Sequence, residues 1–344
     1  MQKPERALEE WSLSLPFVES SDQGLINGTW ILGSPPKYVL QWVNPIFSPL
    51  IHKDLQIILS HLSNNGYITP TLIPTKEGHP CWEEEDGCWR IWSFIEGSTI
   101  HKIDSPKTAA IAGRLVGMFH SGLHDLDHQF IAPQRDIHNT PNRMRDLRLA
   151  LEKSTGHHLE KEAVLLGEKI LSDWDSWDGT LELPKRICHG DLKISNLRFN
   201  SDQSDGVCLI DLDTVGPNSF AVELGDAWRS WCNKSGEDQP ENAHFDMEIF
   251  ESSARSWIQH APELLPIERE TLAGGAQRIC LELSARFCAD AINNSYFKEN
   301  REKYPTVGQH NLVRASSQYN LACSANSKRA ACQRIINQAC AKKK

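Results

Sequence analysis

The chain has 344 residues, 40% hydrophobic and 24% charged, long for one simple domain and apolar enough to build a real core. A formal net charge of −9 argues against nucleic acid as the main partner, because phosphate-backbone binding calls for a basic surface. No apolar run approaches the roughly 18–20 residues that span a bilayer, and Met1 to Glu10 has no apolar stretch of the signal-peptide kind, so a cytoplasmic protein without a membrane partner is expected.

The N-terminal third reads as strands around one helix. Gly24 to Leu32 and the run Tyr38-Val39-Leu40-Gln41-Trp42-Val43, joined through Pro35-Pro36, have the pattern of a hairpin. Leu55, Ile58, Leu59 and Leu62 recur at helical spacing, so His52 to Asn65 is expected to be a helix closed by Gly66. Strands follow at Ile68 to Pro74 and Trp89 to Ile95, with an acidic turn, Glu83 to Gly87, between them. Phe94 to Gly97 then serves as a connector, and the rest is mostly helical. Ser105-Pro106 starts a helix running to about Gly122, and further helices are expected at Asn142–Lys153, Glu160–Trp174, Glu248–Gln259, Ile267–Asn293 and Leu312–Lys342. The fold class implied is α+β with two lobes. Residues 1–96 form a small β-rich lobe, and residues 97–344 a larger helical lobe carrying one hairpin between Arg186 and Val215.

The ten cysteines form no paired Cys-x-x-Cys elements, which argues against a structural zinc site. Most read as reduced, buried small hydrophobes. Cys323, Cys332 and Cys340 fall on a helix where they could be exposed.

The chemistry-bearing stretch is Ile187-Cys188-His189-Gly190-Asp191-Leu192-Lys193-Ile194-Ser195-Asn196, followed by Val207-Cys208-Leu209-Ile210-Asp211-Leu212-Asp213-Thr214. An apolar strand delivers Asp191 to a loop, Asn196 ends that loop, and a second apolar strand returning alongside delivers Asp211. One hairpin thus gathers two carboxylates and an amide oxygen. Phosphoryl transfer needs such a set: a carboxylate to orient a hydroxyl and take its proton, and hard oxygen ligands to hold Mg²⁺ against phosphates.

His-Gly-Asp-x-x-x-x-Asn followed by Ile-Asp resembles the signature of the aminoglycoside phosphotransferase and choline kinase superfamily, which shares the protein-kinase fold. Narrower phrases resemble the N-acetylhexosamine 1-kinases. They include Ile210-Asp211-Leu212-Asp213-Thr214-Val215, Glu223-Leu224-Gly225-Asp226, Leu40-Gln41-Trp42 and Arg286-Phe287-Cys288-Ala289-Asp290. The resemblance covers about Gly24 to Asn320. It implies an ATP- and Mg²⁺-dependent small-molecule kinase. The acceptor would be the anomeric hydroxyl of an N-acetylhexosamine or related sugar; an amino alcohol, homoserine or an aminoglycoside is the alternative, and a non-catalytic binding protein a further one.

Carried over residue by residue, Asp191 is the base and Lys193 reaches the γ-phosphate. Asn196 and Asp211 are the Mg²⁺ ligands, and His189 shapes the loop. Asn27, Gly28 and Thr29 lie in the phosphate-covering loop, and Phe94, Ile95 and Glu96 form the hinge against adenine. Asp213 stands either beside Mg²⁺ or as a capping residue. Arg286 and Asp290, one helical turn apart, either hold the sugar or pair with each other on a solvated face. Two departures from protein kinases stand out. The third-strand lysine position is occupied by Gln41, placed here with the nucleotide-binding residues, and the helix after it contains no glutamate to pair with a lysine.

Overall fold

The structure is a computed structural model that describes residues 4–21, 27–134, 137–297, 300 and 302–343; the expected start of the hairpin at Gly24, Leu25 and Ile26 lies outside them. In chain order the elements begin with a short helix α1 (Pro4–Leu8) and strands β1 (Phe17–Ser21), β2 (Gly28–Leu32) and β3 (Tyr38–Val43). Helix α2 (Ile51–Asn64) follows, then β4 (Leu72–Ile73), β5 (Trp82–Glu84), β6 (Gly87–Ser93) and β7 (Ser98–Thr99). Strands β1, β2, β3, β6 and β4 make an antiparallel sheet in that order, and β5 forms a hairpin with β6. In register, Gln41 of β3 faces Arg90 of β6, and Val43 faces Cys88.

The larger lobe carries α3 (Pro106–Gly122), α4 (Thr140–Glu152), α5 (Glu160–Asp175), β8 (Arg186–Cys188), β9 (Leu197–Phe199), β10 (Gly206–Leu209) and β11 (Gly216–Asn218). Four helices complete it: α6 (Phe220–Trp231), α7 (Met247–His260), α8 (Pro266–Asn293) and α9 (Val307–Lys342). Ser105 caps α3, accepting from the Thr108 N–H at 3.1 Å, with Pro106 at the first helical position as expected. Helix α8 is the core of this lobe, buried on most sides between α4, α5, α6 and α9. Among the described residues, no helix is long and apolar enough to cross a membrane.

Four expectations change. The strand expected at Ile68 to Pro74 shrinks to Leu72–Ile73, because Pro70 and Pro74 carry no N–H for a ladder. Part of the acidic turn is strand β5, with the turn itself confined to Glu85 and Asp86. The strand leading to Asp191 does not pair with the one leading to Asp211: β8 pairs with β11, and β9 with β10. Helix α6 was not anticipated, although Phe220, Leu224, Trp228 and Trp231 recur at helical spacing. Of the three C-terminal cysteines, Cys323 is exposed and Cys332 buried.

Candidate active site

The loop between β8 and β9 is built on Glu223, a fully enclosed carboxylate of α6. It accepts the His189 N–H at 2.7 Å and the Gly190 N–H at 2.9 Å. It also meets His120 Nε2 at 3.2 Å, and His120 Nδ1 accepts from Trp257 Nε1 at 3.0 Å, so His120 is neutral with its proton on Nε2. Burial acts to raise the Glu223 carboxyl, but His120 and the Gly190 N–H outweigh it and hold it below the ordinary carboxylate value. Gly190 has φ +82°, and a Cβ there would lie 2.5 Å from the Thr214 carbonyl, so only glycine lets the two segments approach. His189 donates from Nε2 to the Ile210 carbonyl (2.9 Å) and accepts the Asp191 N–H on Nδ1 (3.3 Å), which is the loop-shaping role expected of it.

Asp191, Lys193, Asn196 and Asp211 come together even though the strands that carry them belong to different pairs. A main-chain bond from the Ile210 N–H to the Asn196 carbonyl (2.9 Å) joins the two segments. Lys193 Nζ sits 2.7 Å from Asp191 Oδ2 and 3.6 Å from Asp211 Oδ2. Asn196 Nδ2 donates to both the Asp191 carbonyl (2.9 Å) and Oδ2 (3.1 Å). Burial would lower the Lys193 pKa, but the two carboxylates raise it above the ordinary lysine value, so the ammonium is fully charged at neutral pH. Asp211 is pushed upward by its position in the cleft and then by Asp213 and Asp191, with Lys193 opposing. Crowded carboxylates beside an amide oxygen form a hard-oxygen donor set of the kind a divalent cation neutralises.

Asp213 corrects the sequence reading. It is buried, gripped at both oxygens by the guanidinium of Arg90 (Nη2 to Oδ2, 2.9 Å; Nη1 to Oδ1) and by Asn27 Nδ2 at 2.8 Å. Arg90, 1% exposed, was not singled out; a charge at an inward position of the strand Cys88-Trp89-Arg90-Ile91-Trp92 was the available signal. Gln41 is likewise engaged. Its Oε1 accepts from Arg90 Nε (3.0 Å) and Trp92 Nε1 (2.9 Å), and its Nε2 donates to Thr29 Oγ1 at 3.2 Å. The side chains of Asn27, Thr29 and Gln41 therefore serve this inter-lobe network.

At the connector, Glu96 is exposed and the Phe94 N–H bonds the Lys37 carbonyl (2.9 Å). Arg198 of β9, also unanticipated, donates to the Ile95 carbonyl (2.9 Å), the Gly97 carbonyl (2.6 Å) and Thr99 Oγ1 (2.9 Å). Gly97 has φ +122°, and a Cβ would lie 2.1 Å from the Phe199 carbonyl.

A cavity of about 790 Å³ opens beside Asp191, lined among others by His138, Arg143, Asp226, Arg286 and Tyr296. Arg286 and Asp290 both reach it but do not pair. Arg286 stacks on Tyr296 and Phe297, 5.5 Å from each ring centroid. Asp290 is taken up by Ser295 N and Oγ, Tyr296 N, Phe297 N and Asn311 Nδ2, at 2.8–3.0 Å. It closes the turn after α8, which corrects its assignment to substrate. A second cavity of about 340 Å³ lies between α2 and Leu212 to Asn218 and shares Phe47, Ile137, Gly190 and Thr214 with the first.

A family model described as "Phosphotransferase enzyme family" matches residues 21–248. Among solved structures, this chain is similar to an aminoglycoside phosphotransferase from Alicyclobacillus acidocaldarius. The TM-score is 0.62 at 14% identity, with 96% of this chain and 97% of that one covered. It is also similar to a microcompartment-associated aminopropanol kinase (TM-score 0.61, 16% identity, 94% and 97% covered). A choline/ethanolamine kinase family protein from Mesorhizobium loti gives a TM-score of 0.55 at 16% identity, with 95% of each chain covered. At these identities the likeness is one of fold, and it bears out the two-lobe, protein-kinase-like architecture.

Proposed function

This chain belongs to the phosphotransferase enzyme family and is a small-molecule kinase; within that class we propose that it transfers the γ-phosphate of ATP, with Mg²⁺, to a hydroxyl of an uncharged polar acceptor, a sugar of the N-acetylhexosamine type first. In this reading residues 1–96 hold the nucleotide and residues 97–344 the reacting groups and acceptor. Asp191 orients the acceptor hydroxyl and takes its proton as the new oxygen–phosphorus bond forms and the β–γ bridging bond breaks, leaving ADP. Lys193, now bound to both carboxylates, is placed to turn toward the γ-phosphate. Asn196 and Asp211 would hold Mg²⁺, which neutralises phosphate charge when bound. Asn196 Oδ1 receives no hydrogen bond among the described residues, and Asp211 is crowded by other carboxylates, so the donor set fits the ion.

One observation carries the acceptor class. A cationic amine acceptor is best met by free carboxylates, and those lining the 790 Å³ cavity besides Asp191 each already have at least one partner. Asp226 accepts both Arg229 nitrogens on Oδ1 at 2.9 and 3.1 Å, Asp146 forms a surface pair with Arg143 at 3.2 Å, and Asp290 closes a turn. What remains beside Asp191 is an aromatic face, the cations Arg286 and Lys153, and polar groups. This suits a hydroxyl-rich neutral molecule better than the amino alcohols and aminoglycosides named for the structural neighbours.

The test is ADP release with Mg²⁺-ATP across N-acetylhexosamines, other hexoses, amino alcohols and aminoglycosides, with Asp191→Asn alongside. Turnover with sugars, lost in the variant, supports the proposal. Turnover confined to cationic acceptors overturns the acceptor class and keeps the chemistry.

A further inference from the structure

We propose that His52, Cys81 and Cys88 form a zinc site that fastens α2 to the β5–β6 hairpin behind the active site. The three side chains come from different places: the first turn of α2, the loop before β5, and β6. All are buried, at 0%, 8% and 1% exposure, and one ligand atom from each lies within 4.8 Å of the others. The cysteines have no Cys-x-x-Cys spacing, so only the fold brings them together.

The imidazole supplies the second, independent observation. His52 Nδ1 lies 2.8 Å from the Pro49 carbonyl and must carry the proton to donate to it. That leaves the lone pair on Nε2, which is buried and makes no hydrogen bond among the described residues. A ring nitrogen fixed by a carbonyl on its far side is how metal-binding histidines are oriented. The contrast with His120, Cys188 and Glu223 is instructive. Those atoms also converge, yet both His120 nitrogens are used, by Trp257 and Glu223, so no lone pair is open to an ion.

The donor chemistry selects the metal. Two thiolates and a neutral imidazole are soft and borderline ligands that suit Zn²⁺, and the thiolate charges balance the ion. No oxygen ligand is among the three, so Mg²⁺ does not compete here. Val43, Phe47 and Ile51 wall the cluster, and the three side chains would leave one of zinc's usual four positions to a ligand from outside the cluster. Side chains two apart on a strand share a face, so Cys88 and Arg90 project the same way. Metal at Cys88 therefore holds the strand from which Arg90 grips Asp213.

The full chain is purified from zinc-supplemented cells without a chelator or metal-affinity step, and bound metal is measured by elemental mass spectrometry. One zinc per chain that survives dialysis is expected. It should be lost in His52→Ala and Cys88→Ser and kept in Cys323→Ser, an exposed cysteine outside the cluster. Cobalt exchanged into the wild-type chain should give thiolate-to-metal charge-transfer absorption. The wild-type results decide the matter even where a variant does not fold. The proposal falls if the wild-type protein takes up no metal, or if its zinc is unaffected by Cys88→Ser in folded protein. It falls equally if denatured, unreduced protein shows two fewer than its ten thiols, because Cys81 and Cys88 would then be a disulfide.

Discussion

Arg90→Met keeps most of the side-chain volume and removes the charge, which isolates what the guanidinium does for Asp213. The ion-paired side chains are 1% and 2% exposed, so solvent cannot replace the lost partner, and Asn27 Nδ2 alone would face the carboxylate. Removing one partner of a buried pair costs about 3–5 kcal/mol. Asp213 has an escape, because it can bind a proton; from an ordinary carboxyl value near 3.9, that costs at most about 4 kcal/mol at pH 7. The two limits agree on a deficit of about 3–4 kcal/mol. An unfolding entropy of about 2.1 cal/mol/K per residue makes this a fall of roughly 4–6 °C in Tm for a chain this long.

The pH dependence has a definite sign. In the wild type, burial raises the Asp213 carboxyl but Arg90 and Asn27 outweigh it, so its pKa lies below the ordinary value. The stability this gives is present above the unfolded value and is lost as pH falls through the folded one. In the variant the carboxyl is raised instead, so its charge penalty grows with pH above about 3.9 and is capped near 1.5 kcal/mol at pH 5. Calorimetry at pH 7 and pH 5 should show the gap between the two proteins closing toward the lower pH. Adding Asp213→Asn to Arg90→Met should recover stability at pH 7. A drop under about 2 °C at pH 7, the same drop at both pH values, or no recovery in the double variant would refute the account.

Asp191→Asn should lower kcat by about 10²–10⁴-fold while ATP affinity, read by calorimetric titration, stays within a few-fold. Asp211→Asn should raise the Mg²⁺ concentration giving half-maximal rate as well as slow turnover; an unchanged metal profile would remove Asp211 as a ligand. Gln41→Ala takes an acceptor from Arg90 Nε and Trp92 Nε1 and should cost about 1–3 kcal/mol on denaturation, with the KM for ATP little changed, since its amide is turned into the sheet network. Gly97→Ala forces a Cβ to 2.1 Å from the Phe199 carbonyl at φ +122°. It should lower Tm and raise the KM for ATP together, because the connector must move to admit it.

The sequence alone determined the two-lobe architecture and that the proposed reacting set lies within one short stretch of it. Asp191, Lys193, Asn196 and Asp211 lie in two short apolar-flanked phrases, and local chain geometry limits where such phrases can put them. Helix α2 was readable because Leu55, Ile58, Leu59 and Leu62 recur at helical spacing on its buried face. Prolines, by contrast, cut one expected strand to two residues. The tertiary structure decided which charges are spent. Whether Asp213 and Asp290 are open to a ligand depends on Arg90 and on the turn after α8, positions 123 and 5–7 residues away in sequence. The same holds for Gln41, whose amide oxygen seats an arginine from the neighbouring strand. It holds for His52, Cys81 and Cys88, which share no motif and meet only when α2 lies against the sheet. Pairing across the fold is set by packing of distant surfaces, and a one-dimensional pattern carries no record of which distant side chain a buried charge will meet.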